Sequence, residues 1–230
     1  MVTPPTVTIS GSVLSDQCAR LAHEADRNRT RRFILGIAGI PGSGKSTLAE
    51  SVLRGLGASD PGQAVIVPLD GFHLPNRTLD ALHLRDRKGA PETFDADGFL
   101  DLLRQARDAT RTLAFPRYDR GRHEPVWSDA LDQRIGPATR LIIAEGNYLL
   151  LKTEPWAQLA QVLDESWLLE TPLAAARHWI LARHVRGGRT PRDARAHYER
   201  TDLPNARLVL QSMREPDLCL RWPAHPDPSF

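Results

Sequence analysis

Lysine is nearly missing from this chain: of its 30 basic residues only Lys45, Lys88 and Lys152 are lysine, and arginine supplies the rest. Cysteine is equally scarce. Cys18 and Cys219 stand far apart, which excludes a Cys-x-x-Cys metal or redox pattern and a disulfide framework. No apolar run approaches the roughly 20 residues of a membrane-spanning helix. The opening Met1-Val2-Thr3-Pro4-Pro5-Thr6 lacks the basic-then-apolar order of a secretory signal. These absences leave no membrane partner and favour a reducing, cytoplasmic setting. A net charge of +2 is too small to call for nucleic acid. There is no internal repeat, and 230 residues most economically make one domain, 1–230.

Against that scarcity the setting of one lysine stands out. Gly39-Ile40-Pro41-Gly42-Ser43-Gly44-Lys45-Ser46-Thr47 fits G-x-x-x-x-G-K-[ST]. With lysine this rare, a chance match has odds of about one in a thousand before context is considered. The glycines let the backbone turn sharply and aim N–H groups at phosphate oxygens. Lys45 adds a point charge near the β/γ-phosphates and Ser46 a hydroxyl for Mg²⁺. A helix starting near Lys45 turns its positive end to the anion. The loop implies a bound nucleoside triphosphate, ATP with Mg²⁺ in a kinase, and does not by itself separate kinase, ATPase and GTPase.

The context agrees. Residues 32–38 read as a buried strand and 46–53 as a helix with one apolar face. Residues 1–10 read as a loose terminus, and 12–28 as an amphipathic helix with Val13, Leu14, Cys18, Leu21, Ala22 and Ala25 inward. Further strands are expected at 64–69, 112–115, 140–144, 166–170 and 218–221. Helices are expected at 97–109, from Pro172 to about Arg186, and at 191–200. Strands alternating with helices predict an α/β three-layer sandwich with a mostly parallel sheet and ligands at its carboxyl edge.

Two acids fall on that edge. Asp70, after Ala64-Val65-Ile66-Val67-Pro68-Leu69, can take a proton from a substrate hydroxyl and help hold Mg²⁺; a turn or capping role is the plain alternative. Glu145, after Leu141-Ile142-Ile143-Ala144, suits the surroundings of the metal. His73, Tyr118 and His123 offer hydrogen bonds to a polyhydroxylated substrate, although a lone histidine is more often structural. Asp119 and Arg120 read equally as a solvated loop pair.

Taken in order, Gly39 to Thr47, Asp70-Gly71-Phe72-His73, Arg87-Lys88-Gly89-Ala90-Pro91-Glu92-Thr93-Phe94-Asp95, Phe115-Pro116-Arg117-Tyr118-Asp119 with His123, and Glu145-Gly146-Asn147-Tyr148 resemble the P-loop kinase superfamily of uridine kinase, bacterial pantothenate kinase and phosphoribulokinase. The resemblance is strongest to the nucleoside/nucleotide kinase-like, or fructose transport system kinase-like, branch. It spans roughly residues 33–210. It implies that Asp70 is the catalytic base, that Ser46 and Glu145 attend Mg²⁺, that Asp95 and Arg87 bind substrate, and that Asn205 lies near the adenine. Between Arg177 and Arg207, eight arginines face three acids, where composition predicts between three and four. This region resembles the family's lid, with Gly187-Gly188 as hinge and Arg183 and Arg186 as the arginines that meet the transferring phosphoryl group.

The expected protein is a kinase that moves the γ-phosphoryl group of Mg·ATP to a hydroxyl of a small metabolite: a nucleoside, pantothenate or a sugar. The rival reading is a nucleotide-dependent ATPase or switch acting on a protein partner. A homodimer stays open.

Overall fold

The computed structural model describes residues 4–27, 30–57, 62–128 and 130–223. In chain order it contains β1 (Thr6–Thr8), α1 (Gly11–Asp26), β2 (Phe33–Ala38), α2 (Lys45–Leu56), β3 (Ala64–Pro68), α3 (Asn76–Ala81), α4 (Ala96–Ala106), β4 (Leu113–Ala114), β5 (Arg117–Asp119), β6 (Glu124–Val126), β7 (Arg134–Ile135), β8 (Leu141–Gly146), α5 (Leu159–Val162), β9 (Glu165–Leu169), α6 (Leu173–Arg186), α7 (Pro191–His197), α8 (Leu203–Ser212) and β10 (Leu218–Arg221).

The central sheet has six strands in the order β1-β10-β9-β2-β8-β3, and every neighbouring pair is parallel. Its inner strands are apolar on both faces because helices cover both, and the two-residue period of a strand sorts their side chains. Leu35, Ile37, Leu141 and Ile143 join a core with Cys18 and Leu21 of α1 and Leu48 and Val52 of α2. Ile34, Ile142 and Ala144 turn the other way, onto Phe99 and Leu103 of α4, Leu159 of α5 and Val209 of α8. This is the expected three-layer α/β/α arrangement.

Several local expectations change. Residues 4–10 are not loose: Thr6 to Thr8 pair with Cys219 to Arg221, and Ile9 N–H donates to the Arg221 carbonyl at 2.8 Å. Three residues are too few to show a period, so the pairing is visible only once β10 stands beside them. Residues 1–3 of that segment, and position 28 of the first expected helix, lie outside the described residues. Ala22, expected inward, is exposed. The strand expected at 112–115 shortens to β4 and pairs with β7 outside the central sheet. Arg117–Asp119 and Glu124–Val126 form an unforeseen hairpin, β5-β6. The helix expected at 191–200 ends at His197, passes through one π-helical turn at Tyr198–Asp202, and continues as α8.

Arg32, at the foot of β2, is fully buried and structural. Its guanidinium donates to the carbonyls of Ala106, Asp108, Ala109, Arg111, Gly136 and Thr139, tying two loops beneath the sheet. Burying a charge this way is tolerable because all its donors are used.

Candidate active site

The loop lies where β2 ends and α2 begins. Gly44 caps α2 in the left-handed region (φ 89°), so the free N–H groups of the first turn open toward the cleft. Gly42 also has positive φ, 78°, and a Cβ there would stand 2.6 Å from the Ala176 carbonyl of α6. The glycine therefore frees the backbone and lets the base of the arginine-rich segment rest on the loop. Ile40 and Ser43 are buried beneath, with Pro41, while Ser46 and Thr47 face solvent.

Two strand ends face the loop. Ser46 donates from its hydroxyl to Glu145 Oε1 at 3.1 Å, and Glu145 itself is only 5% exposed on β8. Burial pushes the Glu145 carboxyl up; Lys45 and the Ser46 hydroxyl oppose this, and Asp70 adds to it. Burial likewise pushes the Lys45 ammonium down, with Glu145 and Asp70 holding it up. Asp70 sits in a single 3₁₀ turn, Leu69–Phe72, directly after β3. Among the described residues its carboxylate makes no hydrogen bond or ion pair, so the turn leaves it free toward the cleft. Gly71 beside it has no room for a Cβ, which would run into the Pro116 carbonyl. That close approach lays β5 across the Asp70 turn.

β5 brings Tyr118 against His73, ring centroids 4.7 Å apart, and His73 stacks on Phe94 at 4.0 Å. The Asp70 carbonyl can only accept, so His73 Nδ1, 2.8 Å away, carries the proton. Burial lowers the His73 pKa and keeps the ring neutral. Burial and the nearby Asp70 and Glu124 charges push Tyr118 up to about 12. At the hairpin turn Asp119 Oδ1 accepts from the N–H groups of Gly121 and Arg122, at 2.8 and 2.9 Å. Asp119 thus serves the turn, and Arg120 is presented to the cleft.

Two cavities meet over the loop. The first, about 370 Å³, is lined by Gly42, Gly44, Lys45, Ser46 and Thr47 and by Trp179, Ile180, Arg186 and Trp222. The second, about 530 Å³, opens beside Asp70, His73, Tyr118, His123, Asn147 and Asn205. Lys45, Arg120 and Arg183 line both. Arg183 stands within the cleft yet stays open to solvent. Crowding by protein, then the neighbouring Arg120, lowers its pKa, while Asp70, Asp202 and Glu145 hold it up.

The expected site residues therefore divide. Asp70, His73, Tyr118, His123, Lys45 and Arg183 converge on the cleft, and Arg186 reaches only the first cavity. Asn205 lies in the second cavity, where its side-chain amide donates to the Gly89 carbonyl at 3.0 Å. Asp95 is exposed and caps α4, accepting from Gly98 N–H at 3.0 Å. Arg87 pairs with Glu92 at 2.5 Å on the surface. Neither Asp95 nor Arg87 lines either cavity. Arg120, Trp222 and Asn147 join the site from loops whose sequence carries no periodic signal, and Trp179 joins it from α6. Position after a turn-forming Asp119 is the sole hint for Arg120.

The Ser46 hydroxyl and the Glu145 and Asp70 carboxylates are hard oxygen donors of the kind Mg²⁺ takes. Ser46 and Glu145 already stand in hydrogen-bond contact beside the loop, so the chemistry of this donor set fits the metal.

A phosphate loop between strand and helix, facing strand-end acids across a parallel sheet, defines the class as a P-loop nucleotide-binding protein. No protein-family model matches the chain. Over 193 residues it is 41% identical to the uncharacterized protein YggC of Escherichia coli K12, covering 83% of this chain and 78% of that protein. Over 199 residues it is 35% identical to the Schizosaccharomyces pombe protein named "Putative uridine kinase C227.14", covering 83% of each. It superposes with a TM-score of 0.81 and 36% identity on the crystal structure of a "putative fructose transport system kinase" from Silicibacter sp. TM1040, covering 91% of this chain and 98% of that one. The chain belongs to the P-loop kinase superfamily of uridine kinases, pantothenate kinases and their relatives. Among the described residues no helix is long and apolar enough to cross a membrane.

Proposed function

We propose that this protein is an ATP-dependent kinase that transfers the γ-phosphoryl group to a hydroxyl of a small metabolite. The observation that carries the reading is the pair of cavities divided by Lys45, Arg120 and Arg183, with the loop on one side and Asp70 on the other. Three cations at the boundary suit a phosphoryl group in flight between a donor and an acceptor.

ATP occupies the loop-side cavity, its phosphates on the N–H groups of residues 42–47 and its base toward Trp179 and Trp222. Ser46, Glu145 and Asp70 are the residues that would hold Mg²⁺, which when bound neutralises phosphate charge. The acceptor lies in the second cavity. Asp70 takes the hydroxyl proton as the oxygen attacks, and neutral His73 keeps the Asp70 turn in place. Lys45, Arg120 and Arg183 stabilise charge on the equatorial oxygens, and α6 to α8 exclude water. The names of the relatives include a putative uridine kinase, a pantothenate kinase and a putative fructose transport system kinase, so nucleosides, pantothenate and sugars are the acceptor classes to test.

ADP release with and without each class decides between kinase and ATPase. Stimulation at least tenfold above acceptor-free turnover supports the kinase, whereas acceptor-independent turnover favours the ATPase or switch.

A further inference from the structure

Lys88 lines the second cavity. Its ammonium donates to Asn76 Oδ1 and to the His123 carbonyl, both at 2.6 Å, and lies 5.2 Å from the centroid of the Tyr118 ring. An ammonium has three donors, so two neutral acceptors leave one donor without a partner, while Glu124 and then Asp80 act on its charge only from beyond ion-pair distance. Among the described residues no carboxylate forms an ion pair with Lys88. The same wall carries Arg189 and Arg200, also without ion-pair partners there, while Asp202 is tied to His184 at 2.8 Å. Asp86 and Asp202 are the other acids of the lining, set against Lys88, Arg85, Arg189 and Arg200, so once Asp70 is set aside as the base the acceptor side is cationic on balance. Two polar atoms in its wall, Asn147 Oδ1 and Thr201 Oγ1, are buried with no hydrogen-bond partner.

We infer that the acceptor is a small polyhydroxylated anion, with a carboxylate or phosphate monoester held at Lys88 and its hydroxyls reaching Asn147, Thr201 and Asp70. This rests on the kinase reading and narrows its substrate class. A neutral nucleoside or sugar would leave the half-buried Lys88 charge without an ion-pair partner, an arrangement that costs stability without returning affinity. Burial already lowers the Lys88 pKa, with Glu124 opposing, and an anion beside it would relieve that strain. The two orphaned atoms call for hydroxyl partners, which both kinds of anion carry. A chain of contacts runs from the Asp70 carbonyl through the His73 and Tyr118 rings to Lys88, so the base and the ammonium stand on one continuous wall.

The test is ADP release with matched sets: ribose, ribonate and ribose 5-phosphate, and pantothenol against pantothenate. The anionic member is expected to exceed its neutral partner at least tenfold in kcat/KM, and the carboxylate and phosphate arms identify the group. Lys88→Met should raise KM for that anion at least tenfold with KM for ATP unchanged, and Lys88→Arg should restore most of the loss. A neutral member used as well as its anion, or an unchanged anion KM in Lys88→Met, overturns the inference. If no member is turned over, the kinase reading fails for this panel, and inorganic phosphate titrated with a non-hydrolysable ATP analogue present reads the pocket alone. Thermal stabilisation by phosphate that Lys88→Met loses supports the anion site, and equal stabilisation of both forms overturns it.

Discussion

At the loop end of the cleft, nine consecutive residues, Gly39 to Thr47, supply most of the polar groups, and their backbone is fixed by one strand and one helix. At the acceptor end the groups come from the 3₁₀ turn after β3, the 85–89 loop, the β5-β6 hairpin, the turn after β8 and the π-helical turn before α8. The first surface is made by local sequence and the second by tertiary meeting. A phosphate has one shape and charge, so a contiguous motif can meet it. An acceptor is chosen by a pocket that separate loops can alter without disturbing the sheet.

The comparison breaks most sharply at Asp70. Asp70→Asn should cut phosphoryl transfer about 10²- to 10⁴-fold, the usual contribution of a positioned general base. Nucleotide affinity, measured by calorimetry, should stay within about threefold, because the loop holds the phosphates and Ser46 and Glu145 remain to attend the metal. The converse change is Gly42→Ala. Its Cβ meets the Ala176 carbonyl and its φ suits glycine alone, so nucleotide affinity should fall about 100-fold, near 2.7 kcal/mol. An alanine variant that binds ATP normally would separate the loop from α6.

Asp95 sharpens the picture by doing little. As an exposed N-cap its replacement by alanine should lower stability by about 1 kcal/mol in denaturant unfolding and leave both KM values unchanged. A raised acceptor KM would bring Asp95 into the pocket. The smallest effect concerns the segment that covers the cleft. Burial pushes His197 down to about 4 from the ordinary 6.5, partly offset by Asp202, with Arg189, His184 and Arg200 pushing the same way as burial. The folded state therefore keeps the ring neutral while the unfolded chain takes up the proton first. This contribution is fully present above pH 6.5 and is lost as pH falls toward about 4. Melting temperature should fall across that window, and less steeply in His197→Asn.

The same contrast explains what the sequence revealed. The parallel sheet was legible because 33–38 and 141–144 are continuous apolar runs, and the loop because its fixed residues are contiguous. Asp70 and Glu145 were legible because they follow such runs. The β5-β6 hairpin and Arg120 were not, since Pro116, Gly121 and a left-handed His123 (φ 53°) leave no period to read. Asp95 and Arg87 were drawn in by family likeness. Capping chemistry and an ion pair with Glu92 hold them at the surface, an outcome set by neighbours rather than by motif. Asn205 shows the same limit: its place in the second cavity depends on the π-helical turn that rotates the start of α8.

The central claim is that the three shared cations separate a donor from an acceptor, and the fate of the γ-phosphoryl group tests it most directly. In a single turnover with γ-labelled ATP and the acceptor panel, the account predicts label on an acceptor oxygen, formed faster than inorganic phosphate and lost in Asp70→Asn. Label appearing only as inorganic phosphate, at one rate with or without acceptor and unchanged by Asp70→Asn, would contradict it.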